Sequence, residues 1–250
     1  MITPTGRGFL KSGDWEAWRD NPTDQKSGIP HPPIQKPHDP DAAMVDLVPP
    51  GEFTVGQMPL LAVLRRRRSR RKYTAEPLSL EELSFLLWST QGIEKLIQEG
   101  RTSLRPTPSA GGRHPFETYL LVNNVTGVAP GLYRYLPLDH KLCLLSTEPD
   151  LAARVHAASR DQFVLDSAAT FIWTALPYRS EWRYAVLAHK MIAVDIGHVC
   201  ENLYLAAESI GAGTCAIGAY DQARIDAVLG VDGVDGVDEF TIYMAPVGKL

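Results

Sequence analysis

Apolar positions change their spacing several times along this chain, and each change marks an element. Residues 1–58 show almost no periodicity, and prolines crowd the stretch from Pro22 to Pro50. Such a segment cannot build its own core and reads as an extended arm. Trp15, Trp18, Phe53 and Met58 would let it wrap a globule formed by residues 59–250. From Pro59 the pattern becomes regular. Leu60, Leu61, Val63 and Leu64 start a helix with proline in its first turn. Ser79 with Glu82 three residues later is a capping box, opening a helix through Phe85, Leu86, Leu87 and Trp88. Residues 117–122, 132–136 and 141–145 are rich in strand formers, the last two joined by a turn at Pro137 to His140. Residues 168–176 read as a buried strand.

The longest helical signal runs from Ala185 to Ile210. There Leu187, Met191, Val194, Val199, Leu203, Ala206 and Ile210 return every three or four positions, and Gly211 ends the run. A short strand at 214–217, a helix at 222–229, a glycine-punctuated Val-Asp-Gly repeat at 231–236 and a closing strand at 240–247 follow. Helices interleaved with few strands give an α+β or α/β class. No GxGxxG follows a first strand, which argues against a dinucleotide-binding Rossmann domain.

Composition narrows this further. At 250 residues and 44% hydrophobic content the chain suits one globular domain with an extension. A net charge of −4 gives no general pull toward nucleic acid or anionic lipid. Cys143, Cys200 and Cys215 sit in apolar runs without metal-ligand spacing, as buried free thiols would. His198, Glu201 and Asn202 share a helix face but lack further ligands at convincing spacing, so no metal is expected. With no signal-peptide pattern and no membrane-length apolar run, the expected location is the cytoplasm.

Charge matters locally. Residues 65–72 read Arg-Arg-Arg-Arg-Ser-Arg-Arg-Lys. The block fits a solvated helix end that complements the helix dipole, a nucleic-acid patch, or an anion pocket with some arginines turned inward. The nucleic-acid reading is weakened because the block stands alone in a net-acidic chain. In the third reading each charge-assisted bond to a phosphate contributes about 1.5–3 kcal/mol, so two arginines and Ser69 would hold one firmly.

The stretch from Arg67 through Tyr73 resembles the Arg-Arg-Ser-x-Arg-x-aromatic signature of the nitroreductase superfamily, in which this segment grips the FMN phosphate and ribityl chain. The resemblance implies that Arg67 and Ser69 meet the phosphate, and that Arg68 and Arg71 meet the ribityl chain and pyrimidine edge. Pro108-Ser109-Ala110-Gly111-Gly112-Arg113-His114-Pro115 is an ordinary small-residue loop in isolation. It also resembles the family loop that covers the opposite protomer's flavin. Gly112 and His114 stand where that loop typically has asparagine and glutamine, as in the SagB-type dehydrogenase branch. Gly211 to Tyr220 resembles the family's Gly-x-Gly-x-x-x-Ile-Gly stretch, which implies that a backbone N–H near Gly218 approaches flavin N5, with Ile217 and Ala219 beside it at the cofactor. Lys249, in the closing Pro-Val-Gly-Lys, matches a basic residue near the phosphate.

Taken together, the segments are similar to a nitroreductase-like α+β (α/β) sandwich. The resemblance implies a central, mainly antiparallel sheet flanked by helices, with a long central helix, assembled as a homodimer with FMN at the interface. It implies an oxidoreductase that moves hydride through flavin N5, with NAD(P)H as donor and a small electron-poor acceptor. One alternative is an azoline dehydrogenase acting on a modified peptide. That branch carries a Lys-Tyr pair implicated in proton handling, and the dipeptide here is Arg183-Tyr184. Tyr184 could exchange a proton, but a guanidinium stays protonated and is no base. A further alternative is a non-catalytic protein that binds flavin or nucleic acid.

Overall fold

A computed structural model describes residues 4–13, 15–98, 100–231 and 238–250. In chain order these residues form α1 (Pro4–Leu10), α2 (Trp15–Asp20), β1 (Met44–Asp46), α3 (Leu60–Arg66), α4 (Leu80–Gln91), β2 (Lys95–Ile97) and β3 (Thr102–Leu104). There follow β4 (Phe116–Val122), β5 (Gly131–Leu136), β6 (Lys141–Ser146), α5 (Leu151–Ala158), β7 (Ala169–Ala175), α6 (Tyr178–Tyr184), α7 (Ala188–Ser209), β8 (Ala212–Thr214), α8 (Gln222–Leu229) and β9 (Phe240–Lys249). Seven strands make one antiparallel sheet in the order β1-β6-β5-β4-β7-β9-β8, and β2 with β3 form a separate hairpin.

The central strands carry apolar residues on both faces because helices cover both. On β4, Phe116, Leu120 and Val122 face α4 and α7, while Tyr119 and Leu121 face α5 and α8. On β7, Phe171 and Trp173 share the first side and Ile172 the second. This α-β-α layering explains why β4 and β7 read as unbroken apolar runs, without the alternation of a half-wet strand. The capping box at Ser79 and Glu82 forms with both of its bonds, and α8 opens on an Asp221 cap and closes on Gly230 at φ 68°.

Three expectations need correction. The long helix begins at Ala188. Ala185, at φ 48° and ψ −135°, separates it from α6, and a single 3-10 turn bridges the two. Trp182 and Ala188 are both buried, so the apolar rhythm runs through a backbone break it cannot register. Val194, counted into the apolar stripe, is 47% exposed, and the buried line runs through Ile192, Asp195, Ile196 and Val199. The short strand lies at Ala212–Thr214, earlier than the expected 214–217, and Ile217 makes an isolated bridge to Met244. Of the Val-Asp-Gly repeat, residues 232–237 lie outside the described residues.

Several described residues of the first 58 pack against the rest of the chain, and β1 pairs with β6 at the sheet edge. Lys36 fastens this packing, its backbone N–H donating to Glu117 Oε1 at 2.8 Å and its ammonium pairing with the fully buried Glu239 at 2.8 Å. Trp15 and Trp18 pack on Tyr184, and Phe53 on Phe85 and Trp88. Among the described residues no helix is long and apolar enough to cross a membrane.

Candidate functional site

The basic block is not one charged helix face. α3 ends at Arg66, and Arg67 leaves helical geometry at φ −47°, ψ 123°. From there the chain runs extended beside β8, with Ser69 bridging Thr214 in parallel and the Arg70 N–H donating to the Thr214 carbonyl at 2.9 Å. This lays residues 67–71 along the edge of the sheet, next to the Gly211–Tyr220 stretch. Arg67 stacks over the Tyr204 ring at 5.5 Å, and Ser69 Oγ lies 3.2 Å from the Tyr204 hydroxyl. That hydroxyl accepts from the Ala216 N–H at 2.9 Å, tying α7 to the second segment. Burial raises the Tyr204 pKa, opposed by the Ser69 and Ala216 bonds.

Most of the block's charge is unspent within the chain. Within the block, among the described residues, only Arg66 forms an ion pair, to Glu208 at 3.0 Å. Arg68 donates to the Arg65 and Arg67 carbonyls, and Arg70 Nε is buried without a partner. Arg71 is exposed. Ile217 is buried through its Met244 bridge, whereas Gly218 and Ala219 are exposed. A side chain at Gly218 would meet only Tyr243, at 3.6 Å, so backbone there is open to a planar group. Lys249 lies in β9, opposite Ala212, but its ammonium is engaged by Glu82 at 2.7 Å.

The remaining predicted residues gather elsewhere. Ser109 Oγ donates to Asp195 Oδ2 at 2.7 Å, and the Ala110 N–H reaches the same oxygen at 3.0 Å. Ser109 also accepts from the His114 N–H at 2.9 Å. Pro108 stays exposed at the head of this loop. Gly111 turns at φ 60°, and a Cβ there would sit 2.5 Å from the Tyr184 hydroxyl and 2.8 Å from Arg183 Nε. Only glycine lets the loop meet that dipeptide so closely. Burial raises the Asp195 pKa, with the Ser109 and Ala110 bonds pulling the other way. Burial, reinforced by the Arg105 charge, pushes His114 down to about 3.

Two clusters therefore form. One joins Arg67, Ser69 and Ile217–Ala219, and the other joins Ser109–Gly111 with Arg183 and Tyr184. Both hang on α7, at Tyr204 and Asp195, nine residues apart, or about 14 Å of helix rise. Sequence reasoning missed both helix residues. Asp195 did leave a signal, since it falls on the four-residue spacing of Met191, Val199 and Leu203. Tyr204 left none. Among the described residues no group of three or more potential ligands could hold a metal. His198 lies 3.9 Å from Asp195, and Asn202 donates to the Ser89 carbonyl at 2.9 Å.

Comparison with known proteins puts these clusters in context. The Nitroreductase family model matches residues 64–249. A protein of Methanocaldococcus jannaschii named as a nitroreductase is 30% identical over 195 residues, covering 78% of this chain and 93% of its own length. The trifolitoxin-processing protein TfxB of Rhizobium leguminosarum bv. trifolii is 27% identical over 136 residues, 51% of this chain and 36% of that one. A crystal structure assigned as a nitroreductase from Anabaena variabilis superposes with a TM-score of 0.66 at 23% identity. The match covers 84% of this chain and 42% of that longer chain.

Proposed function

The chain belongs to the nitroreductase family, and from that premise we propose that it is an FMN-dependent oxidoreductase, working as a homodimer, that uses NAD(P)H to reduce a small electron-poor acceptor. The observation that carries this reading is the edge where Arg67 and Ser69 meet Tyr204 and the exposed backbone of Gly218. The residues present suit the cofactor. Arg67 and Ser69 supply charge and a hydroxyl for a phosphate, with no carboxylate paired to them among the described residues, and Arg68 and Arg71 would hold the ribityl chain. Backbone at Gly218 and Ala219 is exposed for the ring edge, held in place by Ile217, whose own N–H and carbonyl are bonded to Met244. Bound there, FMN would supply two-electron hydride chemistry at N5.

The chain's own part is to bind and to position. The Ala216 N–H bond to Tyr204 fixes the segment whose next residues would face the ring. Asp195 holds Ser109 and Ala110, setting the loop that starts at Pro108 and turns at Gly111. On the family pattern that loop covers the partner protomer's flavin, which makes the site composite. Lys249 would reach a phosphate only by giving up Glu82.

Purified protein should be yellow and dimeric, and NADPH should bleach it without oxygen. Arg67→Ala and Ser69→Ala should each weaken FMN binding about tenfold, the loss of one charge-assisted bond. Full flavin occupancy in both variants would remove the phosphate assignment. A second reading, dehydrogenation of an azoline ring in a modified peptide, gains support from the similarity to a toxin-processing protein and from Tyr184 sitting against Gly111. Arg183 does not replace a lysine base, and Lys190 donates to the Leu10 carbonyl at 2.6 Å. Flavin that NADPH leaves oxidised would favour this second reading.

A further inference from the structure

Beside the Gly111 loop lies a cavity of about 700 Å³, within the range of small-molecule sites. The arm closes it with Gln25 and His31, the β2–β3 hairpin with Thr102, and α6 with Trp182 and Arg183. Arg101, Gly112 and Arg113 also line it, and among the described residues no aspartate or glutamate does. Arg183 makes no hydrogen bond or ion pair among the described residues, and its Nε is buried without a partner. Its guanidinium lies 5.4 Å from the Tyr184 ring, and that of Arg113 lies 4.8 Å from the Trp182 ring. Arg113 is only 4% exposed and is steadied by its Nε bond to the Arg179 carbonyl at 2.9 Å. Two guanidinium groups thus flank a space that no carboxylate of the described residues lines.

We propose that this cavity is the acceptor pocket and that it selects substrates carrying a carboxylate, anchored by Arg183 with Arg113 behind it. The proposal rests on the flavoprotein reading and names the substrate class of that site. A guanidinium set against an aromatic ring keeps its N–H edge free, and that edge matches a planar carboxylate two bonds at a time. A phosphate would match the same edge, but here it would lack the nest of backbone N–H groups that often adds to such a site. Here the Gly112 and Arg113 N–H groups are already committed to the Ser109 and Ala110 carbonyls. Crowding by Arg183 and Arg179 adds to burial in lowering the Arg113 pKa, a cost that a bound anion would offset. The assignment also gives Arg183 a task that suits a group unable to act as a base.

The test titrates the purified protein with 4-nitrobenzoate and with 4-nitrobenzamide by calorimetry at fixed ionic strength. The acid should bind about tenfold more tightly than the amide. Arg183→Gln should abolish that preference without weakening the amide, and Arg183→Lys should restore part of it. Equal affinity for acid and amide in the unaltered protein overturns the proposal, as does equal weakening of both by Arg183→Gln. Inorganic phosphate displacing the acid more strongly than benzoate does would reassign the anion and overturn the carboxylate. Visible absorbance of the same samples separates the two readings. Flavin-loaded protein with no acid preference sinks the pocket alone, and colourless protein that still prefers the acid sinks the flavin reading alone.

Discussion

Arginine is used in two opposite ways in this molecule. Along the sheet edge, Arg67, Arg68 and Arg71 are exposed or half-buried, and none has a carboxylate partner among the described residues. Under the arm, Arg179 is buried and Arg105 half-buried, and both are bonded. Arg179 pairs with Glu117, and Arg105 donates to the Gln91 side chain at 2.7 Å and to Ser103 at 2.9 Å. Burial first, then the nearby Arg179 charge, holds Arg105 down to about 10, with Glu117 opposing the fall. The comparison teaches that a buried guanidinium with fixed partners holds the fold together. One at an edge without partners is available to something outside the chain.

Removing one side of the buried set should produce the largest effect. Glu117→Gln leaves Arg179 without its counter-charge in a site where Glu117 is 3% exposed, and it weakens the acceptor for the Lys36 N–H. Breaking such a pair costs about 3–5 kcal/mol, read as a drop in the urea midpoint. A cost below 1 kcal/mol would mean that the buried and exposed arginines do not differ in kind.

His114 sharpens the comparison through pH. Its folded pKa of about 3 lies below the ordinary value of 6.5, so the unfolded chain binds the extra proton first. Its contribution to stability is complete above pH 6.5 and is lost as the pH falls toward 3, by about 1.4 kcal/mol per unit. Between pH 7 and pH 5 the loss should be about 2 kcal/mol, measured by urea unfolding. His114→Gln should flatten that slope.

What the sequence revealed divides along the same line. A run of arginines interrupted by serine is a pattern, so the edge cluster was legible, as were the capping box at Ser79 and the buried strands β4 and β7. Arg105, Arg113 and Arg179 stand singly among unrelated neighbours. Their partners Gln91, Trp182 and Glu117 are brought to them by the fold, so no local spacing announces them. The same holds for Tyr204, a partly buried tyrosine whose importance lies in Ser69 and Ala216 meeting at its hydroxyl. The break at Ala185 was hidden because burial continues across it.

Ser109→Ala probes the loop that borders both regions. It removes the hydroxyl bond to Asp195 and the acceptor for the His114 N–H, leaving Asp195 only the Ala110 N–H on that oxygen. A bond to a charged group contributes about 1.5–3 kcal/mol, and the lower end applies to a half-buried hydroxyl. The urea midpoint should fall accordingly. The Asp195 pKa should move further up, because one of the bonds that lowers it is gone. An unchanged carboxyl titration in carbon-detected magnetic resonance would mean that the loop is held by something else.

Arg71→Gln should have the smallest effect on the fold and is the sharpest test of the comparison. The side chain is exposed and makes no hydrogen bond or ion pair among the described residues, so no bond to them is lost with it. The urea midpoint should therefore stay where it is, as for most surface changes away from special features. FMN retention should nevertheless weaken, because on the proposed reading the bond that disappears is one made to the ligand. A variant destabilised yet fully loaded with flavin would reverse the assignment, making the edge arginines part of the scaffold and leaving the phosphate to be held by other residues.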